Sequence, residues 1–116
     1  MVTLSTNTSW TAHAAKGTNL SLSKLQQEVD DTIAIYERAN GAFAARTRKM
    51  IAANGVVDAL AKLVVTADAQ HGFKVLRDSN QLNRSFEAII VRFPEMFPKG
   101  AVEAAQWRLD NAHNLH

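Results

Sequence analysis

From Leu22 onward the apolar residues recur with a helical period. Leu22, Val29, Tyr36, Phe43 and Met50 fall seven residues apart, with Leu25, Thr32 and Ala39 interleaved. A stripe of that period on one face predicts an amphipathic α-helix. Lys24, Glu28, Asp31, Glu37 and Arg38 occupy the opposite face. Two local signals place the first turn near residue 22: Ser23 with Gln26 reads as a capping box, and Ser21 between Leu20 and Leu25 as a hydrophobic staple. The far end is contested. Asn40-Gly41 is an ordinary stop signal, with glycine in the left-handed position after the last turn. The stripe, however, keeps its phase across it. We therefore expect one long helix, about 22–53, that tolerates Gly41 at a cost of about 1 kcal/mol, with a hairpin at Gly41 as the alternative.

Shorter elements follow. Asn54-Gly55 ends the long helix, and Val56, Val57, Leu60, Leu63 and Val64 then repeat at helical spacing until about Thr66. A third segment opens at Asp68 or Gln70, carries Phe73, Val75 and Leu76, and breaks at Asp78-Ser79-Asn80, whose side chains favour turns. Asn83 or Ser85 can cap a fourth helix from Phe86 to Phe93. Its Ile89-Ile90-Val91 centre is apolar nearly all round, so it should be the most buried, and Pro94 ends it. The strand propensity of the same residues is the competing reading. Met96 and Phe97 anchor a loop before a last helix, Ala101 to about Asn111, containing Val102, Ala105, Trp107 and Leu109. The fold class expected is all-α: a bundle of about five helices, residues 22–116, with one long N-terminal helix. Residues 1–21, rich in Ser, Thr and Asn, read as an arm that is flexible or docked on a partner, with Trp10 as its anchoring aromatic.

Composition narrows the class. A chain of 116 residues with 47% hydrophobic and 21% charged residues suits a single folded domain. The absence of cysteine excludes disulfides, thiolate metal sites and a cysteine nucleophile. No secretory leader pattern and no run of about 18 apolar residues is visible, which points to a cytoplasmic protein with no membrane partner. A net charge of +2 is too small to imply a nucleic-acid coat protein.

Catalytic patterns are missing from the sequence: no phosphate-binding glycine loop, nucleophile elbow or calcium loop occurs. We expect a non-catalytic protein with no cofactor and no metal. His113 and His116 share a helical spacing that could hold a metal, but a fraying terminus explains them better. His71, beside Gly72, reads as an exposed loop histidine or a group at a partner site. Arg46, Arg48 and Lys49, preceded by two alanines, form a basic cluster able to approach a phosphate backbone. A helix-turn-helix drawn from Val56–Val64 to Gly72–Asp78 would add Lys74 and Arg77, and Arg84 follows, although the connection is long for that motif.

The stretch from Phe86 to Leu109 resembles in texture small helical domains of bacteria and phages, which implies a helical fold and no particular function. The reading that follows is a helical interaction protein, such as an accessory factor, inhibitor or adaptor. Its expected partner-binding residues are Trp10, Met96, Phe97 and Trp107, types enriched at interfaces. The alternative is a nucleic-acid-binding regulator using Arg46, Arg48, Lys49, Lys74, Arg77 and Arg84. The Leu22–Met50 stripe packs inside the chain or, as the second reading, forms a homodimer seam. Thr32, Ala39 and Arg46 are poor residues for such a seam.

Overall fold

The computed structural model describes residues 19–42, 44–65 and 67–115. Among these are six α-helices and no strand: α1 (Asn19–Asn40), α2 (Ala45–Asn54), α3 (Val56–Leu63), α4 (Ala67–Asp78), α5 (Phe86–Arg92) and α6 (Lys99–Asp110). Single 3₁₀ turns join α4 to α5 and α5 to α6, and a third follows α6. Residues 1–18, with Trp10, lie outside the described residues. Residues 19–21, assigned to the arm from sequence, belong instead to the first turn of α1.

The long helix expected to run to residue 53 is two helices. Gly41 takes a φ of +72°, and its N–H donates to the Glu37 carbonyl at 2.8 Å. This left-handed cap satisfies a carbonyl that would otherwise be orphaned at the end of α1. The stop signal at Asn40-Gly41 thus prevails over the continued phase of the stripe. The upstream part of that stripe enters the centre of the core, with Leu25, Val29 and Thr32 all 2% exposed or less, and Ile33, which lies off the stripe, is as deeply buried. These side chains are covered within the chain by α3, α4 and α5, so this stretch does not offer the apolar seam that the homodimer reading requires. Thr32, the polar member, donates its hydroxyl to the Arg84 carbonyl at 2.5 Å.

Around α1 the other helices contribute Leu60, Leu63 and Val64, Phe73 and Leu76, and Ile89 and Ile90, all buried. Each such side chain contributes about 1.5–3 kcal/mol by leaving water. Local signals fix the boundaries. Ser85 caps α5 by accepting from the Ala88 N–H at 3.1 Å while donating to the Leu82 carbonyl at 2.8 Å. Asn80, at a φ of +62°, ends α4 with paired bonds from Asn80 N–H to the Arg77 carbonyl and from Gln81 N–H to the Leu76 carbonyl.

The burial of α5 has a consequence for its one acid. Glu87 is 1% exposed and is held by Arg108 of α6, whose Nη1 donates to Oε2 at 2.7 Å. Ala101 and Ala105 of α6 are buried, and these small side chains allow the close approach of α6 to α5. Burial pushes the Glu87 carboxyl above its ordinary value, and the arginine opposes that shift.

Two stability outcomes follow from this packing. Gly55 is the single residue between α2 and α3, at φ +84° and ψ 159°, a region open essentially to glycine alone. A Cβ there meets no atom within 4 Å, so Gly55→Ala should cost about 1–3 kcal/mol through the backbone alone, measured by urea unfolding. Arg108→Ala, which strands a buried carboxylate, should cost about 3–5 kcal/mol. Its deficit should shrink in acid, where the stranded group is protonated, while a pH-independent deficit would mean that only packing was lost.

Candidate functional site

A cleft of about 280 Å³ opens between the C-terminal half of α1, the start of α2, α4 and the first turn of α5. Its floor is made of buried residues: Ile33, Leu63, Phe73 and Leu76, with Thr32 and Glu87 at the polar end. Tyr36, Thr47 and Phe86 are half-buried along its walls, and Arg46 and His71 are exposed at its mouth. Ala44, Ala45 and Gly72 complete the lining. They are too small to fill the space between the helices. At Gly72 a Cβ would already touch the Tyr36 ring, at 3.6 Å. The His71 ring stands edge-on to Tyr36, with centroids 6.3 Å apart and planes at 89°.

The α2 wall is positioned by Glu37. One of its carboxylate oxygens accepts from the Ala44 N–H at 2.7 Å and from Arg48 Nε at 2.9 Å, and the other accepts from Arg48 Nη2 at 2.7 Å. Ala44 has no side chain able to cap α2, so the acid from the preceding helix caps it instead. The Arg48 hydrogen bonds, then the Ala44 N–H, pull the Glu37 carboxyl down to about 2, and the same contact pushes the Arg48 guanidinium up.

This geometry sorts the residues proposed from sequence. Phe97 is 7% exposed and Met96 packs against the same core, so both anchor the α5–α6 connection and present little to a partner. Trp107 is 59% exposed. Among the basic residues, Arg48 is engaged with Glu37. Arg77 bonds Asp78 and the carbonyls of Ala112 and Leu115, tying down the segment after α6. Arg84 and Lys74 are half-buried, and Lys49 is exposed on α2 one turn from Arg46. Of the six, Arg48 and Arg77 are thus used to hold the fold together. His113 is exposed on the last 3₁₀ turn, and His116 lies outside the described residues.

The sequence reading did not anticipate the cleft. His71 sits inside α4 rather than on a loop. The pair His71-Gly72, a glycine within an otherwise helical pattern, was the local signal that backbone and a neighbouring ring come close there. Among the described residues, no group of three metal-ligating side chains occurs and no helix is long and apolar enough to cross a membrane. No protein-family model matches the chain, and no significant match is found among curated proteins or solved structures.

The Glu37 clamp can be measured directly. In a carboxyl-carbon NMR titration, Glu37 should protonate near about 2, and Arg48→Gln should return its midpoint toward the ordinary carboxylate range. A carboxyl depressed in the folded state contributes stability above its unfolded value, so that contribution is lost as pH falls from about 4.5 toward about 2. The Arg48→Gln protein should lose less stability over that interval than the wild type.

Proposed function

We propose that this chain is a non-catalytic interaction domain that takes one bulky apolar side chain of a partner protein into the cleft between α1, α2, α4 and α5. The observation that carries this reading is an apolar floor of four buried side chains beneath a polar mouth. That arrangement suits an anchoring residue: the floor gains from excluding water, and the rim fixes orientation. An apolar cavity of about 150 Å³ holds one benzene ring, so 280 Å³ is sufficient for a larger aromatic side chain.

A binding role is favoured over a reactive one by how the polar groups are committed. Glu87 is paired with Arg108, Glu37 with Arg48, and the Thr32 hydroxyl with a backbone carbonyl. General acid–base work needs a group that can exchange a proton with a substrate; Glu37 and Glu87 each hold an arginine, and the His71 Nε2 at the mouth lies 3.5 Å from the Asn40 Oδ1.

The test is a neutral synthetic peptide with a single tryptophan flanked by Gly and Ser, titrated into the full chain and followed by two-dimensional NMR. Shifts should concentrate on Ile33, Leu63, Phe73 and Leu76. Gly72→Leu, which grows a side chain from α4 toward Tyr36, should weaken binding at least about tenfold, with thermal unfolding showing that the variant folds. Shifts scattered over the surface, or undiminished binding by a folded Gly72→Leu protein, would reject the cleft as the site.

A further inference from the structure

We infer that the partner side chain received by this cleft is an aromatic ring bearing a hydrogen-bond donor, the indole N–H of tryptophan or the phenol O–H of tyrosine, and that Thr32 and Glu87 accept from it. The inference rests on the cleft being a docking site, as proposed above, and adds the chemistry of what docks. Its basis is the polar end of an otherwise apolar floor. Ile33, Leu63, Phe73 and Leu76 carry no polar side-chain atom, whereas Thr32 and Glu87 line the same space and are 2% exposed or less.

Both of these residues keep acceptor capacity. The Thr32 hydroxyl spends its one proton on the Arg84 carbonyl, at 2.5 Å. Toward any further partner it therefore acts through the lone pairs of its oxygen. Glu87 receives Arg108 Nη1 on Oε2 at 2.7 Å, and its own backbone N–H also favours the charged form. An ionised carboxylate only accepts, at about four positions, and these two donors do not fill them. The polar end thus offers acceptors and calls for a donor.

Filling the cleft turns that capacity into selectivity. Polar groups at the mouth keep their water when an anchor enters, while an occupant that reaches the floor excludes water there. A ring without a donor then leaves the oxygens desolvated with no bond in return, and a ring with a donor replaces the lost water. Leucine, methionine and phenylalanine match the floor and fail its polar end. Serine and asparagine satisfy the end and leave the floor unfilled. Lysine and arginine donate, but they carry a second cation into an apolar floor where Glu87 already holds Arg108. Tryptophan and tyrosine combine an apolar body with a polar handle, which is what this floor is built to match.

The experiment uses the full chain and two pairs of peptides, each with a single aromatic residue flanked by Gly and Ser. Tryptophan is compared with benzothienylalanine, in which sulfur replaces the indole N–H at nearly the same shape, and tyrosine with phenylalanine. By calorimetry, the donor-bearing member of at least one pair should bind about tenfold tighter than its counterpart, with NMR shifts of both on the floor residues. In the bound donor-bearing peptide, the ring N–H or O–H should exchange slowly with water and lie close to the Thr32 methyl. Thr32→Val, which keeps the shape and removes the hydroxyl, should weaken that peptide by about threefold or more and leave its counterpart unchanged. Glu87→Gln, whose amide oxygen stays with Arg108 while its NH₂ replaces the other acceptor, should narrow the gap as well; thermal unfolding shows that each variant folds. Equal binding within both pairs, with shifts still on the floor, would overturn the donor requirement and leave the cleft reading intact. A full preference retained by the folded Thr32→Val and Glu87→Gln proteins would overturn the assignment of the acceptors. Tighter binding of the tryptophan peptide by Trp10→Ala, or a dimer that this peptide disperses, would make the chain its own occupant and overturn the assignment to a partner. Absence of floor shifts with every peptide would remove the cleft reading and this one together.

Discussion

The placement of α2, and with it the shape of the cleft, depends on one carboxylate. α2 has no fully buried residue, although Ile51 packs partly buried against the core, so burial fixes it less than the other helices. Packing on α3 and the Glu37 clamp hold it. Glu37 accepts three hydrogen bonds, two from one arginine and one from the first free N–H of the next helix. Its own backbone carbonyl accepts the Gly41 N–H that ends α1. A single residue thus closes one helix and opens the next. The charge-assisted, forked contact with Arg48 is the kind that fixes direction as well as distance. A neutral amide at 37 would retain the length of glutamate and lose the second acceptor oxygen on which the fork depends.

A second ion pair operates under the opposite condition. The Glu37–Arg48 pair is partly open to water, its arginine 38% exposed, whereas Glu87 is 2% exposed and its partner Arg108 16%. Burial penalises the Glu87 charge and the arginine recovers part of that penalty, so the net contribution to stability is small although breaking the pair is costly. What the pair contributes is placement. Glu87 of α5 faces Arg108 of α6, and that contact fixes the rotation of α5 against α6. The same acid forms the polar end of the cleft. The two carboxylates thus bracket the site, one setting its wall and the other closing its floor.

The features readable from the sequence were those with short-range causes. Ser85 as a cap, Asn80 as a turn residue and Pro94 as a stop each act within four residues, and each boundary follows. The heptad stripe marks the core correctly at Leu25, Val29 and Thr32 and does not extend beyond Asn40. Phe43 and Met50 keep the spacing, and spacing alone does not register that a left-handed glycine satisfies the terminal carbonyl. Met96 and Phe97 resembled interface residues because loops with large apolar side chains serve interfaces and cores alike, and only the position of α5 and α6 shows that these two serve the core. The cleft was not legible, since it is assembled from α1, α2, α4 and α5 by contacts distant in sequence. The basic cluster was legible as charge. That Arg48 points back to an acid eleven residues earlier required the break at Gly41, which the periodic reading had smoothed over.

Gly72 shows how the site and the fold compete for one position. Glycine within a helix is worth about 1 kcal/mol less than alanine, and α4 is otherwise an ordinary amphipathic helix carrying Phe73 and Leu76 into the core. The contact an alanine methyl would make with Tyr36 is 3.6 Å, within normal van der Waals range. Nothing in the packing therefore demands glycine here, as a positive φ does at Gly41 and Gly55. What a side chain would change is the room between α4 and α1. Each added methylene extends toward the Tyr36 ring and into the cleft, so helix stability would rise while the volume beneath the mouth falls. The residue that weakens α4 is thus the one that leaves room between α4 and the Tyr36 ring of α1.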